Sequence, residues 1–340
     1  MKGILGLDIG SHSIKLVEIA KDKTSATLLA AGSTPTPPKA LSSQVEADLQ
    51  ALAAAVQKLI KDTGAKSDVV NIALPESQVF TRVITVPQLS SRELASAIKF
   101  EAEQYVPLPL DQVNLDYTVL RDSKETGINS MEVLLVAGPK ALIEKYMTIM
   151  EFLEVNVNAI ETEIIAASRS LVRSVANIKS VMIVSIGVKT TDLAILRNGV
   201  LTFTRSISAG GEALTRSIAQ KFGFEFTQAE EYKKAYGVEA DKVEGKILAS
   251  VKPILDTIIG EIKRAVEFYQ QKYRDEPIGT ILLNGGTARL PGMVVYITEQ
   301  VGIETQMANP WIGITKDARF NVLDAEGPSF GIAVGLALRS

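Results

Sequence analysis

The sequence predicts an α/β protein of two related domains facing each other across a cleft, with a small α+β insert in the first and a helical insert in the second. An internal repeat is the first observation. Residues 3–20, GILGLDIGSHSIKLVEIA, and residues 180–197, SVMIVSIGVKTTDLAILR, share one plan: an apolar strand, a turn of small and polar residues around glycine, and a second strand. Aligned on that plan, Asp8 falls opposite Ser185, Gly10 opposite Gly187, Ser13 opposite Thr190 and Lys15 opposite Asp192. The pattern downstream of each copy is the second observation. Strands and helices alternate after the first copy, whereas residues 212–274 after the second are almost wholly helical in pattern. Length is the third, because 340 residues suffice for two or three domains, each with a sizeable core.

After the first hairpin, TPTPPK (34–39) can continue neither strand nor helix, because proline fixes φ and lacks a donor, so it reads as a surface connection. Val45, Leu49, Leu52, Val56, Leu59 and Ile60 then recur at helical spacing, and Gly64 closes that helix. Residues 69–74 and 79–86 are β-rich. Residues 90–105 are helical and end at Pro107-Leu108-Pro109; strands at 113–120 and 131–137 and a helix at 140–153 complete the insert. A strand (157–160) and a helix (163–175) return to the first domain. In the second half, Ile254, Ile258, Ile262, Val266 and Tyr269 give the last helix of the cap one apolar face, residues 281–284 form a buried strand running into Gly285-Gly286, and 330–338 form a helix rich in small residues. The expected boundaries place the first domain at 1–82 and 156–179, its insert at 83–155, the second domain at 180–211 and 280–340, and the helical subdomain at 212–279.

Hydrophobic residues make up 46% of the chain, yet no run approaches the roughly 20 apolar residues that span a bilayer. Asp8 interrupts the apolar N-terminal stretch before a signal-peptide core can form, so the chain is expected to stay in the cytoplasm. With no cysteine, disulfides and thiolate metal sites are excluded, and a single histidine, His12, argues against a histidine-based triad or a multi-histidine metal centre, so hydrolytic chemistry is expected to run on carboxylates and water. A net charge of −3 gives no electrostatic case for nucleic acid, whose phosphates require clustered Lys and Arg.

DIGSHSIK (8–15) is the first candidate phosphate loop. Gly10, with Ser11 and Ser13 as small neighbours, lets backbone N–H groups approach phosphate oxygens, Lys15 adds a point charge, and Asp8 can orient a magnesium-bound water. An ordinary polar hairpin would look the same once; repetition at Gly187, Lys189, Thr190 and Thr191 argues for function. The GVKT of the second copy mimics the tail of a Walker motif, but the upstream glycine is missing and that reading is discarded. In LLNGGTARLPG (282–292), a strand delivers Gly285 and Gly286, followed by Thr287, where the absence of side chains lets a base or ribose lie against backbone; a plain strand-to-helix turn is the alternative. In AEEYKKAYG (229–237), Glu230 and Lys233 share a helical face and could reach a ribose and base, or form a surface ion pair worth little.

Phosphate-loop hairpins, a linking helix near Glu163, the two-glycine turn and the final small-residue helix occur in the order of the actin, Hsp70, sugar kinase and FtsA superfamily. The chain resembles that superfamily, and the resemblance implies the actin-like ATPase fold, two ribonuclease H-like domains around a nucleotide. The insert falls where the FtsA and PilM families carry subdomain 1C. KFEAEQYVPLPLDQVNLDY (99–117), NPW (309–311) and the GPSFGIAVGLALR end are similar to the PilM family of type IV pilus assembly proteins across essentially the whole chain. This resemblance implies ATP or ADP with Mg2+ in the cleft, with Asp8 as metal-orienting and catalytic carboxylate, Glu163 as a second catalytic group, and Gly210 and Gly211 among the nucleotide-binding residues. It also implies that the N-terminal cytosolic peptide of PilN binds a groove between subdomains 1A and 1C, near Phe100, Tyr105, Val106 and Leu108, and that membrane attachment is indirect. Self-association and other assembly partners remain open. The superfamily usually has Asp where this chain has Ser185, a change that binding survives more readily than hydrolysis does. The alternatives are an FtsA- or MreB-like filament former, against which the lack of an amphipathic helix after Arg339 counts, and a sugar-kinase-type phosphotransferase, for which no substrate base is identifiable.

Overall fold

The computed structural model describes residues 3–23, 25–175 and 177–340. β1 (Ile4–Ile9) and β2 (Ser13–Lys21) form the first hairpin, with Asp8 paired to Lys15, and β3 (Ala26–Pro35) extends it antiparallel. Against the reading of 34–39 as wholly a connection, β3 runs on through Thr34 and Pro35, paired with Ile14 and Ser13, because it lies at the sheet edge where a proline interrupts no ladder. α1 (Glu46–Thr63) buries Leu49, Leu52, Ala53, Val56 and Leu59 at helical spacing. It stops at Gly64, whose φ of 69° lets its N–H cap the Ile60 and Lys61 carbonyls. β4 (Val69–Leu74) then lies parallel to β1.

The insert comes next: β5 (Phe80–Pro87), α2 (Ser91–Tyr105), β6 (Val113–Arg121), the short α3 (Ser123–Thr126) and β7 (Ser130–Pro139), with strand order β5-β7-β6. α2 starts at a capping box between Ser90 and Glu93, and its Leu94, Ile98 and Ala102 cover one face of the sheet at Ile84, Val86, Met131, Val133 and Leu135. The opposite face does not return to the first domain alone. Leu134 shares a core with Leu171 and with Val181, Leu196 and Leu201 of the second domain.

α4 (Lys140–Phe152), read from the sequence as the last element of the insert, buries Tyr146, Ile149 and Met150 among Leu52, Val56, Leu59 and Ile72, so it forms a layer of the first domain. Its apolar face shows a helix but not which sheet the helix covers. β8 (Asn156–Thr162) and α5 (Glu163–Leu171) complete this half, with sheet order β3-β2-β1-β4-β8.

The second half repeats that topology. β9 (Ser180–Ile186), β10 (Thr191–Arg197) and β11 (Val200–Ile207) lead into α6 (Gly211–Phe222), α7 (Phe226–Tyr236) and α8 (Lys246–Lys272), which form the helical subdomain. β12 (Thr280–Asn284), α9 (Met293–Val301) and β13 (Thr305–Met307) close the sheet in the order β11-β10-β9-β12-β13, with β9 antiparallel to β10 and parallel to β12, as β1 is to β2 and β4. α10 (Gly327–Ala337) crosses back to the first sheet, where Phe330, Ala333, Val334 and Ala337 pack on Val17, Ile19, Ala26 and Leu28. Glycine permits this approach. A Cβ on Gly6 would stand 2.0 Å from the Ala333 carbonyl oxygen, and one on Gly335 would stand 1.8 Å from that of Ala166. Among the described residues no helix is long and apolar enough to cross a membrane.

Candidate functional site

The two hairpin turns are built alike. The Gly10 N–H donates to the Ser13 carbonyl at 3.2 Å, and the Gly187 N–H donates to the Thr190 carbonyl at 2.8 Å. In the first hairpin Lys15 Nζ stands 3.9 Å from Asp8 Oδ2 and donates to Ser13 Oγ at 2.9 Å, while Ser11 is exposed at the tip. In the second, Ser185 pairs across the ladder with Asp192, whose carboxylate accepts from Ser206 Oγ at 2.5 Å and Thr190 Oγ1 at 3.2 Å. Lys189 is exposed. Thr191 is fully buried and spends its hydroxyl on the Ala209 carbonyl at 2.7 Å, which ties β10 to the turn before α6.

Four carboxylates converge between the sheets. Asp8 comes from the end of β1, Glu163 from the N-terminus of α5, Asp192 from β10, and Glu76 from a 3-10 turn after β4. The turn and α5 are locked reciprocally: the Glu76 N–H donates to Glu163 Oε2 at 3.2 Å, and the Ile164 N–H donates to Glu76 Oε2 at 3.4 Å. Burial raises the Asp8 carboxyl against the pull of Lys15 and brings Asp192 to about 6. Burial, then the charge of Asp192, brings Glu76 to about 7, and enclosure beside Asp192 and Asp8 holds Glu163 well above the usual carboxylate range. The Tyr146 hydroxyl is buried near Glu163 and Asp8, and burial first, then both charges, raise its pKa; it has no hydrogen-bond partner among the described residues. The sequence pointed to Asp8 and Glu163. It missed Glu76, whose only signal is its place just past the C-terminal end of a parallel strand, and it missed the site role of Asp192 because the repeat aligned that residue with Lys15.

Around Gly187 a second constellation forms. Its carbonyl accepts from the Gly211 N–H at 2.9 Å and from Thr287 Oγ1 at 2.9 Å, so the turn before α6 and the turn after β12 meet the second hairpin at one atom. Gly210 fits only without a Cβ, which would lie 2.7 Å from the Val188 carbonyl oxygen. Lys233 is buried and donates to the Gly211 carbonyl at 3.0 Å, Thr215 Oγ1 at 2.8 Å and Glu230 Oε2 at 2.7 Å; it is not a surface ion pair. Gly285 takes φ 91°, with its N–H on the Pro328 carbonyl at 2.8 Å, and its Cβ would collide with the Ile186 carbonyl oxygen at 2.5 Å. Gly286 is exposed, and a Cβ there would meet only Ser329 Oγ, at 3.9 Å.

At the insert, the bend after α2 splits the expected partner residues. Phe100 is 71% exposed and Leu108 41% exposed, whereas Val106 is buried in the insert's own core. Tyr105 is half-buried, with the Arg82 guanidinium 4.4 Å above its ring.

The duplicated sheet topology, with paired hairpins facing one cleft, defines an actin-like ATPase fold. The family model described as type IV pilus assembly protein PilM matches residues 6–340, and the chain belongs to that family. It is similar to a solved PilM–PilN type IV pilus biogenesis complex, with 28% identity and a TM-score of 0.87 over 99% of this chain and 98% of that one. It is 24% identical to the cell division protein FtsA of Streptococcus pneumoniae over 94% of this chain and 78% of that protein. The ethanolamine utilization protein EutJ of Carboxydothermus hydrogenoformans shares the fold, with 17% identity and a TM-score of 0.57 over 99% of this chain and 89% of that one.

Proposed function

We propose that this chain is a nucleotide-binding scaffold of the type IV pilus assembly machine. It holds ATP or ADP between the two hairpins and receives the N-terminal cytosolic peptide of PilN at the insert. The observation that carries the nucleotide half is the meeting of Gly187, Gly211 and Thr287 at one carbonyl, beside Gly286, which leaves backbone bare where a phosphate and a ribose need it. Gly10, Ser13 and Lys15 approach the phosphates from the other hairpin. Glu230 and Lys233 build the wall on the nucleoside side through Thr215 and Gly211.

Among the described residues, no three carboxylate or histidine side chains stand close enough to form a metal cage. A Mg2+ ion in nucleotide sites is held largely by the phosphates with one or two carboxylates, and Asp8 at the end of β1 and Asp192 on β10 are the protein groups that would hold it here. Such an ion would supply charge neutralisation at the phosphates. This chain's own residues orient the nucleotide and exclude water around it. Glu163, its carboxyl raised by burial and by the charges of Asp192 and Asp8, stands at the N-terminus of α5 on the cleft side, where it would position water or a proton near the phosphates.

The partner half rests on Phe100, exposed on α2, and Leu108, exposed on the bend that Pro107 and Pro109 form after it, and on the similarity to a chain of a PilM–PilN complex. Placement at the inner membrane would then come through that partner. Calorimetric titration with ATP–Mg2+ and, separately, with a synthetic peptide of the PilN N-terminus tests both halves. Saturable binding of each is expected. A folded protein that ignores both ligands refutes the reading.

A further inference from the structure

The insert carries the proposed partner surface, yet its charged anchor lies in the other domain. Glu132 of β7 is buried and accepts from three side chains. Arg121 Nη1 donates to its Oε2 at 3.0 Å within the insert, while Lys272 Nζ at 2.6 Å and Tyr273 Oη at 3.1 Å reach its Oε1 from the end of α8; Arg121 then extends Nη2 to the Arg197 carbonyl of β10 at 2.7 Å. Arg197 in turn holds Glu276 with two hydrogen bonds of 2.7 Å and lies 4.7 Å over the Tyr273 ring. On the same side, Thr204 Oγ1 of β11 donates to the Thr81 carbonyl of β5 at 3.1 Å, and Leu134 packs against Val181, Leu196 and Leu201. Burial disfavours the charged form of Glu132, but the hydrogen bond and charge of Lys272, with the charge of Arg121, outweigh it, so the carboxylate stays ionised and needs its partners. The chain enters the insert from the turn that carries Glu76, whose N–H rests on Glu163 in the cleft.

We infer that the strap formed by Arg121, Glu132, Lys272 and Tyr273 fastens the insert to the second domain, so that a change in the angle between the two domains moves the insert against the first domain and couples the peptide surface to the cleft. This coupling rests on the proposed function, in which the insert binds the peptide and the cleft binds nucleotide. A ligand shifts such an equilibrium only by its different affinity for the two arrangements, and the coupling is reciprocal.

The test uses the full chain and three variants: Lys272→Met, which keeps the stem of a half-exposed side chain, Glu132→Gln, and Lys272→Arg as the conservative control. The affinity of the synthetic PilN N-terminal peptide is measured without nucleotide and with saturating ADP–Mg2+. In the wild type the two values should differ by about fivefold or more. In Lys272→Met and Glu132→Gln the ratio should fall to within about twofold of unity, and in Lys272→Arg it should persist. A wild-type ratio of one, or a ratio that survives in Lys272→Met and Glu132→Gln, overturns the coupling. Hydrogen exchange without any ligand reads the fastening separately: residues 113–139 and 200–207 should exchange faster in Lys272→Met and Glu132→Gln, with the first hairpin unchanged. Unaltered exchange there overturns the strap. If the wild type binds neither peptide nor nucleotide, the functional reading and the coupling fall together, and the exchange result still decides the fastening.

Discussion

Asp192 stands directly across the ladder from Ser185, the two being paired on β10 and β9, while in the first hairpin Asp8 on β1 faces Lys15 on β2. Serine at 185 therefore does not leave the second hairpin without an acid; the carboxylate sits one strand over. Ser185 itself accepts from Asn284 Nδ2 at 2.9 Å and joins β9 to β12. Both carboxylates can contribute to any turnover, and since each tenfold in rate is about 1.4 kcal/mol of barrier, losing one should be readily measured. Asp8→Asn and Asp192→Asn should each lower any ATP turnover of the wild type about tenfold or more. Steady-state phosphate release checks this, and undiminished release in both variants removes the carboxylates from the chemistry.

Glu76 sets a pH dependence of stability. Its folded carboxyl titrates at about 7 against an ordinary value of 4.5, so between these limits the folded protein keeps a proton that the unfolded chain has lost. Stability from this group is full below 4.5, falls as pH rises to about 7, and is flat beyond. Glu76→Gln retains an acceptor for the Ile164 N–H and removes the titration. Its melting temperature at pH 8 should exceed that of the wild type by a few degrees, about the shift expected from one to two kcal/mol in a chain of this size. Equal melting temperatures for the two across pH 5 to 8 would show that Glu76 is not held protonated.

Two adjacent glycines should behave oppositely. Gly286→Leu should fold, because open space receives its side chain, and should lose ATP affinity by more than tenfold through direct overlap. Gly285→Ala must place a Cβ against the Ile186 carbonyl at positive φ and should lower the melting temperature by several degrees. Calorimetry and thermal denaturation separate the two. Wild-type ATP affinity in a folded Gly286→Leu protein would place the nucleotide elsewhere.

At the insert, Phe100→Asp should leave stability within about 0.5 kcal/mol of wild type because that side chain is mostly in water, Leu108→Asp should cost about 1 kcal/mol because part of its side chain is covered, and both should weaken PilN peptide binding more than tenfold. Val106→Asp buries a charge in the insert core and should unfold that region. Parallel titrations with ATP, whose affinity should be unaffected in the first two variants, distinguish a local surface from general damage.

Much of this architecture was legible because it is written in local pattern. The hairpin repeat showed as two apolar runs around Gly10 and Gly187, α1 showed in the spacing of Leu49, Leu52, Val56 and Leu59, and the glycine pair at 285–286 marked a close backbone approach that the positive φ of Gly285 requires. Such signals depend on a few consecutive residues and on the fixed periods of helix and strand.

Position in space was not legible in this way. That α4 belongs to the first domain, that Val106 is core while Leu108 faces water, and that Glu132 answers to Lys272 are results of packing between segments far apart in sequence. Glu76 and Asp192 became part of one cleft only when the turn after β4 was brought against the second sheet at β11, and their raised carboxyls come from burial, which no single-sequence pattern carries. The sequence by itself determined the repeat, the secondary structure and the bare backbone of the turns, because these arise from each residue's own stereochemistry. The tertiary structure alone decided which charges share an enclosed space and which apolar surfaces remain open, because both depend on how the two halves exclude water from each other.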